Sequence, residues 1–317
     1  MVLSLKKLRL ISTISSVILL ISLVCTGCSF RQSESAVDKI SVTASLFPQY
    51  DFAKQIAGDK ADVSLLLPPG SESHTYDPSP ADILRISNSD IFLYTGKEME
   101  PWAEKIISSV QNDKVLVADV SNGINLIESI PHHHGHRHNH EHNFDPHIWL
   151  DLTLAAKIVD NIASAFCDKN SENADYYKNN AENLKRDLSE LDTELKSMVD
   201  TSKRNTAVFA GRFAHLYFIK RYNLEYISAF DSCSTEAEPS VKKVSKIIDF
   251  IRKNNIPAVY YEEFSEPKIA NSIAEQTGVK TLKFTTLHNV TKEQLENGTT
   301  FIDLMRENLE NLRQGLN

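Results

Sequence analysis

Cysteine is nearly missing from the body of this chain. Of four residues, Cys25 and Cys28 lie in the N-terminal segment, leaving only Cys167 and Cys233. Two distant cysteines make neither a disulfide framework nor a zinc-finger spacing, and whether they pair is left open by the sequence. Positive charge is also short: the net charge is −8, which excludes nucleic acid and polybasic membrane contact as the main business of the chain. No Walker A loop, HExxH or GxSxG is present, so ATP hydrolysis must belong to a partner and the common hydrolase signatures are absent. The expectation is a binding protein, not an enzyme.

The long apolar run needed for a membrane span is missing too. Lys6, Lys7 and Arg9 precede residues 10–24, which are apolar apart from five Ser/Thr residues. That basic-then-apolar order is the pattern of a secretory signal, too short and hydroxyl-rich for a spanning helix. It ends in Val24-Cys25-Thr26-Gly27-Cys28, which resembles the lipobox of bacterial lipoproteins, with Cys25 where an aliphatic residue is usual. The resemblance implies acylation of Cys28, a signal over 1–28, a tether over 29–38 and a location on the outer face of the cytoplasmic membrane. The remaining ~290 residues exceed what one core usually organises and imply two lobes.

Short β-branched runs then alternate with amphipathic segments. Strands are expected at 40–45, 62–67, 91–94 and 115–118, with helices at 48–57, 79–88 and 101–110. Gly58 closes the first helix, and Ser79-Pro80 opens the second as N-cap and first helical residue. The same grammar restarts after 205, with strands at 206–209, 226–229, 258–261 and 281–284. Helices are expected there at 213–222, 239–253, 267–277 and 300–313. Alternation of this kind implies an α/β protein of two similar lobes, 39–170 and 205–317, each a mostly parallel sheet covered on both faces. Between them Ala174, Tyr177, Ala181, Leu184, Leu188, Leu191, Leu195 and Met198 step by three and four. That stripe predicts one long helix, about 37 Å at 1.5 Å per residue, acting as a stiff strut across residues 171–204.

The chemistry is carried by histidine. Seven of eleven fall between residues 132 and 142 of PHHHGHRHNHEHNFDPH, at His132, His133, His134, His136, His138, His140 and His142. Imidazole is the common ligand of zinc, copper and nickel, and a polar stretch of this kind reads as an auxiliary multi-site metal loop. A fixed site needs isolated histidines on ordered loops. His147 in DPHIWLD has Asp145 or Asp151 to hold its second ring nitrogen. His74 in LLPPGSESHTYDPSP follows a strand, at the carboxyl edge where open α/β sheets place ligands.

SLFPQYDFAKQIAGD, LLPPGSESHTYDPSPADI, DPHIWLD, YFIKRYNLEYISAF and EPSVKKVSKIIDFIRKNNIPAVYYEEFSEPKIANSIAEQTGVK together resemble the zinc- and manganese-type solute-binding lipoproteins of bacterial metal ABC transporters. The resemblance runs from about residue 40 to 312. It implies four-stranded lobes joined by a helix, a metal in the interlobe cleft, and His74 and His147 as ligands. It implies a permease and its ATPase as partners, a monomer, and zinc as the ion, with manganese or another divalent transition metal as the alternative. A surface adhesin, a zinc-storage lipoprotein or a zinc-dependent hydrolase are the competing readings. The pattern breaks in the second lobe. Arg212 stands where the family has its third ligand, and Thr285 aligns near the fourth; neither coordinates a metal. His288, just past the strand at 281–284, is the first candidate to complete the set. Glu236 is next, with Glu238 beside it, and His215 on the helix three residues after Arg212 is a further one.

Overall fold

The computed structural model describes residues 39–109, 114–129, 144–230, 239–264 and 266–317. The signal, tether, Cys28, the His-rich loop, Cys233, Glu236 and Glu238 lie outside the described residues. Each half of the described chain builds a four-stranded parallel sheet. The first contains β1 (Ile40–Ala44), β2 (Ala61–Leu65), β3 (Ile91–Tyr94) and β4 (Leu116–Asp119) in the order β2-β1-β3-β4. The second contains β5 (Thr206–Phe209), β6 (Glu225–Ser228), β7 (Ala258–Tyr261) and β8 (Lys280–Lys283) in the matching order β6-β5-β7-β8. The central strand β1 is buried from Val42 onward, and Val42 sits opposite Val63 on one side and Ile91 on the other. In the second sheet Phe209 pairs with Ser228 and Tyr260.

Local chemistry explains the helix ends. α1 (Phe47–Ala57) stops at Gly58, whose φ of 53° a side chain would oppose. α2 (Pro80–Ser87) starts at a capping box in which Ser79 accepts from the Asp82 N–H and Asp82 reaches back to Ser79. α3 (Ala103–Ser109) follows β3. α4 (Leu152–Lys169) and α5 (Ala174–Thr201) form an antiparallel pair joined by a short 3-10 turn, Ser171–Asn173. α5 is the long helix that the apolar stripe predicts, and Tyr177, Ala181, Leu184, Leu188, Leu191, Leu195 and Met198 are all buried on it. It packs on α4 and α1 and also on the last helix, so it spans both sheets instead of pairing as a coiled coil.

The second half contains α6 (Leu216–Arg221), α7 (Val241–Asn254), α8 (Lys268–Thr277), α9 (Lys292–Glu296) and α10 (Phe301–Leu316). The helix expected from residue 213 begins instead at Leu216. Phe213 is stacked on Tyr226 with ring centroids 4.3 Å apart, and Arg212 is held by two carboxylates, so residues 212–215 stay outside the helix and His215 becomes the position before it. One apolar core runs from Val42 through Trp149 and the α5 stripe to Leu316. The two sheets therefore share a core, which agrees with the stiff strut expected of α5.

Strand order reverses direction between β1 and β3, the crevice where open α/β sheets usually take ligands. Here that crevice is filled from within. Glu100 is buried and accepts hydrogen bonds from Ser45 Oγ and from the Thr95 N–H at 3.0 Å, while Gln49 bonds Thr95 Oγ1. Burial pushes its carboxyl from the usual 4.5 up to about 8; the Ser45 and Thr95 hydrogen bonds oppose the rise and the charge of Asp119 adds to it. The folded chain thus holds a proton that the unfolded chain releases above 4.5, so stability falls as pH rises from 4.5 to about 8. Glu100→Gln is expected to melt higher than the parent at pH 8, by about 1 kcal/mol or more in stability, with the gap closing as the pH falls toward 4.5. Melting curves of the metal-free protein across that range check this; a constant gap would show that Glu100 is ionised when folded.

Candidate metal centre

Three loops bring histidines together between the sheets. His74 is on the loop after β2, His147 stands at the start of the 3-10 turn Ile148–Leu150, and His288 is on the loop after β8. Their ring nitrogens lie within 4.8 Å of one another. His147 and His288 are buried and His74 is half-buried.

The ring orientations are set by neighbours. Asp145 Oδ1 lies 2.7 Å from His147 Nδ1 and also accepts the His147 backbone N–H at 2.9 Å. A carboxylate there accepts a hydrogen bond from Nδ1–H and so places the lone pair on Nε2, which lies against His74 Nε2. Of the two aspartates that the sequence offers, Asp145 is the partner, because Asp151 is occupied capping α4 through the Thr153 N–H. His288 is held by a longer relay. Its Nδ1 bonds Thr286 Oγ1, and the Thr286 hydroxyl and N–H both bond the carboxylate of Glu263, the N–H at 2.8 Å. With the hydroxyl proton on Glu263, His288 must donate from Nδ1, so its Nε2 is also bare. That Nε2 is buried and has no hydrogen-bond partner. Leu287, between the two bonded residues, takes the left-handed φ of 60°, a conformation that costs a side-chain-bearing residue about 1–2 kcal/mol. The kink brings Thr286 and His288 within hydrogen-bonding reach.

The separation of the rings is informative. His74 Nε2 and His147 Nε2 are 3.3 Å apart. Two tetrahedral ligands at about 2.0–2.1 Å from one zinc ion are separated by roughly 3.3–3.4 Å. Burial drives the His288 ring well below its ordinary 6.5, and the neighbouring His147, His74, His215 and Arg212 push the same way, so the ring is neutral at neutral pH.

The loops are clamped by bonds between the two halves. The His288 carbonyl accepts the Phe47 N–H at 3.0 Å, and Trp149 Nε1 donates to the Thr286 carbonyl at 2.8 Å. Asn289 Nδ2 donates to the carbonyls of Pro68 and Ser71, and the Gly70 N–H to that of Val290. The described residues on either side of the His-rich stretch meet nearby. Glu128 and Phe144 form an antiparallel bridge and the Asp145 N–H donates to the Ile127 carbonyl at 2.8 Å, so the insert leaves and returns beside His147.

The other candidates lie elsewhere. His215 is not in the histidine group; it is buried among Phe209, Phe213 and Phe284, its ring stacked on Phe209 at 5.0 Å, with Nδ1 unpartnered. Burial lowers it to about 3, His147 adding to the shift and Asp145 opposing it. Its aromatic flanks are those of a core histidine. Thr285 is also turned away, bonded through its N–H to Asn308 Oδ1 at 2.8 Å. Arg212 lines the cleft beside His74 and His288, with Nη1 2.6 Å from Glu72 and Nε 3.0 Å from Glu262. Gly211 makes this possible: a Cβ there would lie 3.1 Å from the Glu262 backbone nitrogen. No sequence pattern marks the Glu263–Thr286 relay, because its members are distant in the chain and neither residue type is unusual alone.

Known proteins bear out the architecture. A family profile described as zinc-uptake complex component A, periplasmic, matches residues 42–315. The high-affinity zinc uptake system protein ZnuA of Bacillus subtilis is 31% identical over 315 residues, spanning 98% of each chain. The zinc-binding lipoprotein AdcA of Streptococcus pneumoniae is 29% identical over 300 residues, 93% of this chain but only 59% of that longer protein. The crystal structure of the Zn(II)-bound ZnuA-like domain of the same AdcA superposes with a TM-score of 0.74 at 28% identity, covering 88% of this chain and 99% of that one. With a common fold across both sheets and a match over nearly the whole described chain, the protein belongs to the ZnuA family of periplasmic zinc-uptake components.

Proposed function

We propose that this protein captures zinc outside the cytoplasmic membrane and delivers it to the permease of an ABC-type importer, with His74, His147 and His288 as its ligands. The observation that carries the reading is the bare, buried Nε2 of His288 facing two further ring nitrogens that stand 3.3 Å apart. An unpartnered buried nitrogen is costly, and an ion in that position removes the cost. Zinc suits an imidazole set better than manganese does, since manganese favours carboxylate oxygen. Zinc is cargo here, not a catalyst: the family to which the chain belongs is an uptake component, and its zinc-uptake relatives carry the same ion.

The remaining parts of the reading extend beyond the described residues. Cys28 is the acylated anchor, supported by the lipobox-like sequence and by a relative named as a lipoprotein. The histidines at 132–142 form an auxiliary segment that holds further zinc, supported by seven imidazoles within eleven residues. The permease and ATPase are the partners that an uptake component requires.

Three outcomes are expected. His288→Ala weakens tight zinc binding by at least ~100-fold, as loss of one of few ligands should, whereas His215→Leu leaves it within about threefold and raises the melting temperature by removing an unsatisfied buried nitrogen. Competition against a chelating dye measures both; equal losses would place His215 in the site. Deleting residues 132–142 removes the weak phase of a calorimetric zinc titration and keeps the tight one, and loss of all binding would overturn the division. Cys28→Ser releases the protein from membranes on fractionation, and unchanged sedimentation with the membranes would refute the anchor.

A further inference from the structure

Three histidines leave one position of a tetrahedral zinc site open. Three carboxylates line the cleft beside His74 and His288: Glu72, Glu262 and Glu263. Glu263 is committed to the Thr286 N–H and hydroxyl, which hold the His288 ring. Glu262 pairs with Arg212 Nε at 3.0 Å. Glu72 differs from both because it travels with a histidine of the site. It sits two residues before His74 on the same loop, and its Oε1 is 3.3 Å from the His74 N–H. Its other oxygen faces Arg212 Nη1 at 2.6 Å across the cleft.

We propose that Glu72 is the fourth ligand of the bound ion and that Arg212 is its built-in competitor. This rests on the reading of His74, His147 and His288 as ligands. The carboxylate passes from the guanidinium to the metal on binding and returns to it on release. The geometry favours the exchange because Arg212 has two partners on different nitrogens. When Glu72 leaves Nη1, Glu262 still neutralises the guanidinium through Nε, so no buried cation is stranded. Arginine cannot lose its proton and cannot itself ligate. In a cleft meant for a dication its charge is otherwise purely repulsive, and a role as alternative partner for a ligand carboxylate explains its presence there. The bond that re-forms when the ion departs also offsets part of the cost of leaving, so the pair lowers affinity and eases transfer.

The test uses Glu72→Gln, Arg212→Gln and the double variant of the full-length protein, with zinc affinity and the visible spectrum of the cobalt(II)-loaded protein as readouts. Glu72→Gln is expected to weaken zinc by roughly 10–100-fold or more and to shift the cobalt bands, as water replaces a carboxylate. Arg212→Gln is expected to tighten zinc binding more in the parent, where it removes both the repulsion and the competition for Glu72, than in the Glu72→Gln background, where only the repulsion is removed. A cobalt spectrum and zinc affinity unchanged by Glu72→Gln would overturn the ligand assignment. Equal tightening by Arg212→Gln in both backgrounds would overturn the competition. Failure of the three-histidine reading is separable, because it alone predicts that His288→Ala loses tight binding whatever stands at Glu72.

Discussion

A bare imidazole nitrogen buried in a cleft, as His288 Nε2 is, is unfavourable until something sits against it, and the contacts behind the site rings decide which nitrogen each presents. Each buried ring is fixed from behind, through its Nδ1 proton. Asp145 does this for His147 directly, and Glu263 does it for His288 through Thr286. Remove either support and the ring is free to present the protonated nitrogen, which cannot bind a cation. The left-handed Leu287 and the buried Glu263, whose carboxyl burial pushes up against the pull of its Thr286 hydrogen bonds, are both unfavourable locally. They persist because the surrounding contacts over-determine them.

Those contacts come from the opposite half of the molecule. The loop that carries His288 is tied to the first sheet through Phe47, Pro68, Gly70 and Ser71, and to the 3-10 turn through Trp149. Asp51 on α1 in turn accepts the Phe301 N–H that begins α10. The ligand loops of one half are therefore built partly from the other half, and the site is not a gap between two independent lobes.

Much of this was legible in the residues. The two rounds of strand and helix, the Ser79-Pro80 and Gly58 boundaries, and the α5 stripe follow from periodicity and capping, which are local. Strand edges moved by one or two residues, as edges do. His74 and His147 were visible because their motifs are local as well. The second lobe was harder. Arg212 announced only that a familiar ligand was missing, and the order of His288 before His215 rested on position past a strand and on aromatic flanks, not on any contact that the sequence displays. What separates them is tertiary: Phe209, Phe213 and Phe284 enclose His215, while a kink at Leu287 turns His288 into the cleft. The helix expected from 213 failed for the same reason, because an ion pair and an aromatic stack to distant residues outweighed local helical propensity.

The core that runs unbroken beneath both sheets bears on timing. Two lobes on a free hinge can gape, and an ion then escapes as fast as the hinge swings. Here separation would strip apolar surface from Trp149, Phe284 and the α5 stripe before any ligand bond broke. The residence time of an ion in such a cleft is governed by individual bonds at its rim, within loops of a few residues, and a membrane partner needs to disturb only those loops to shorten it.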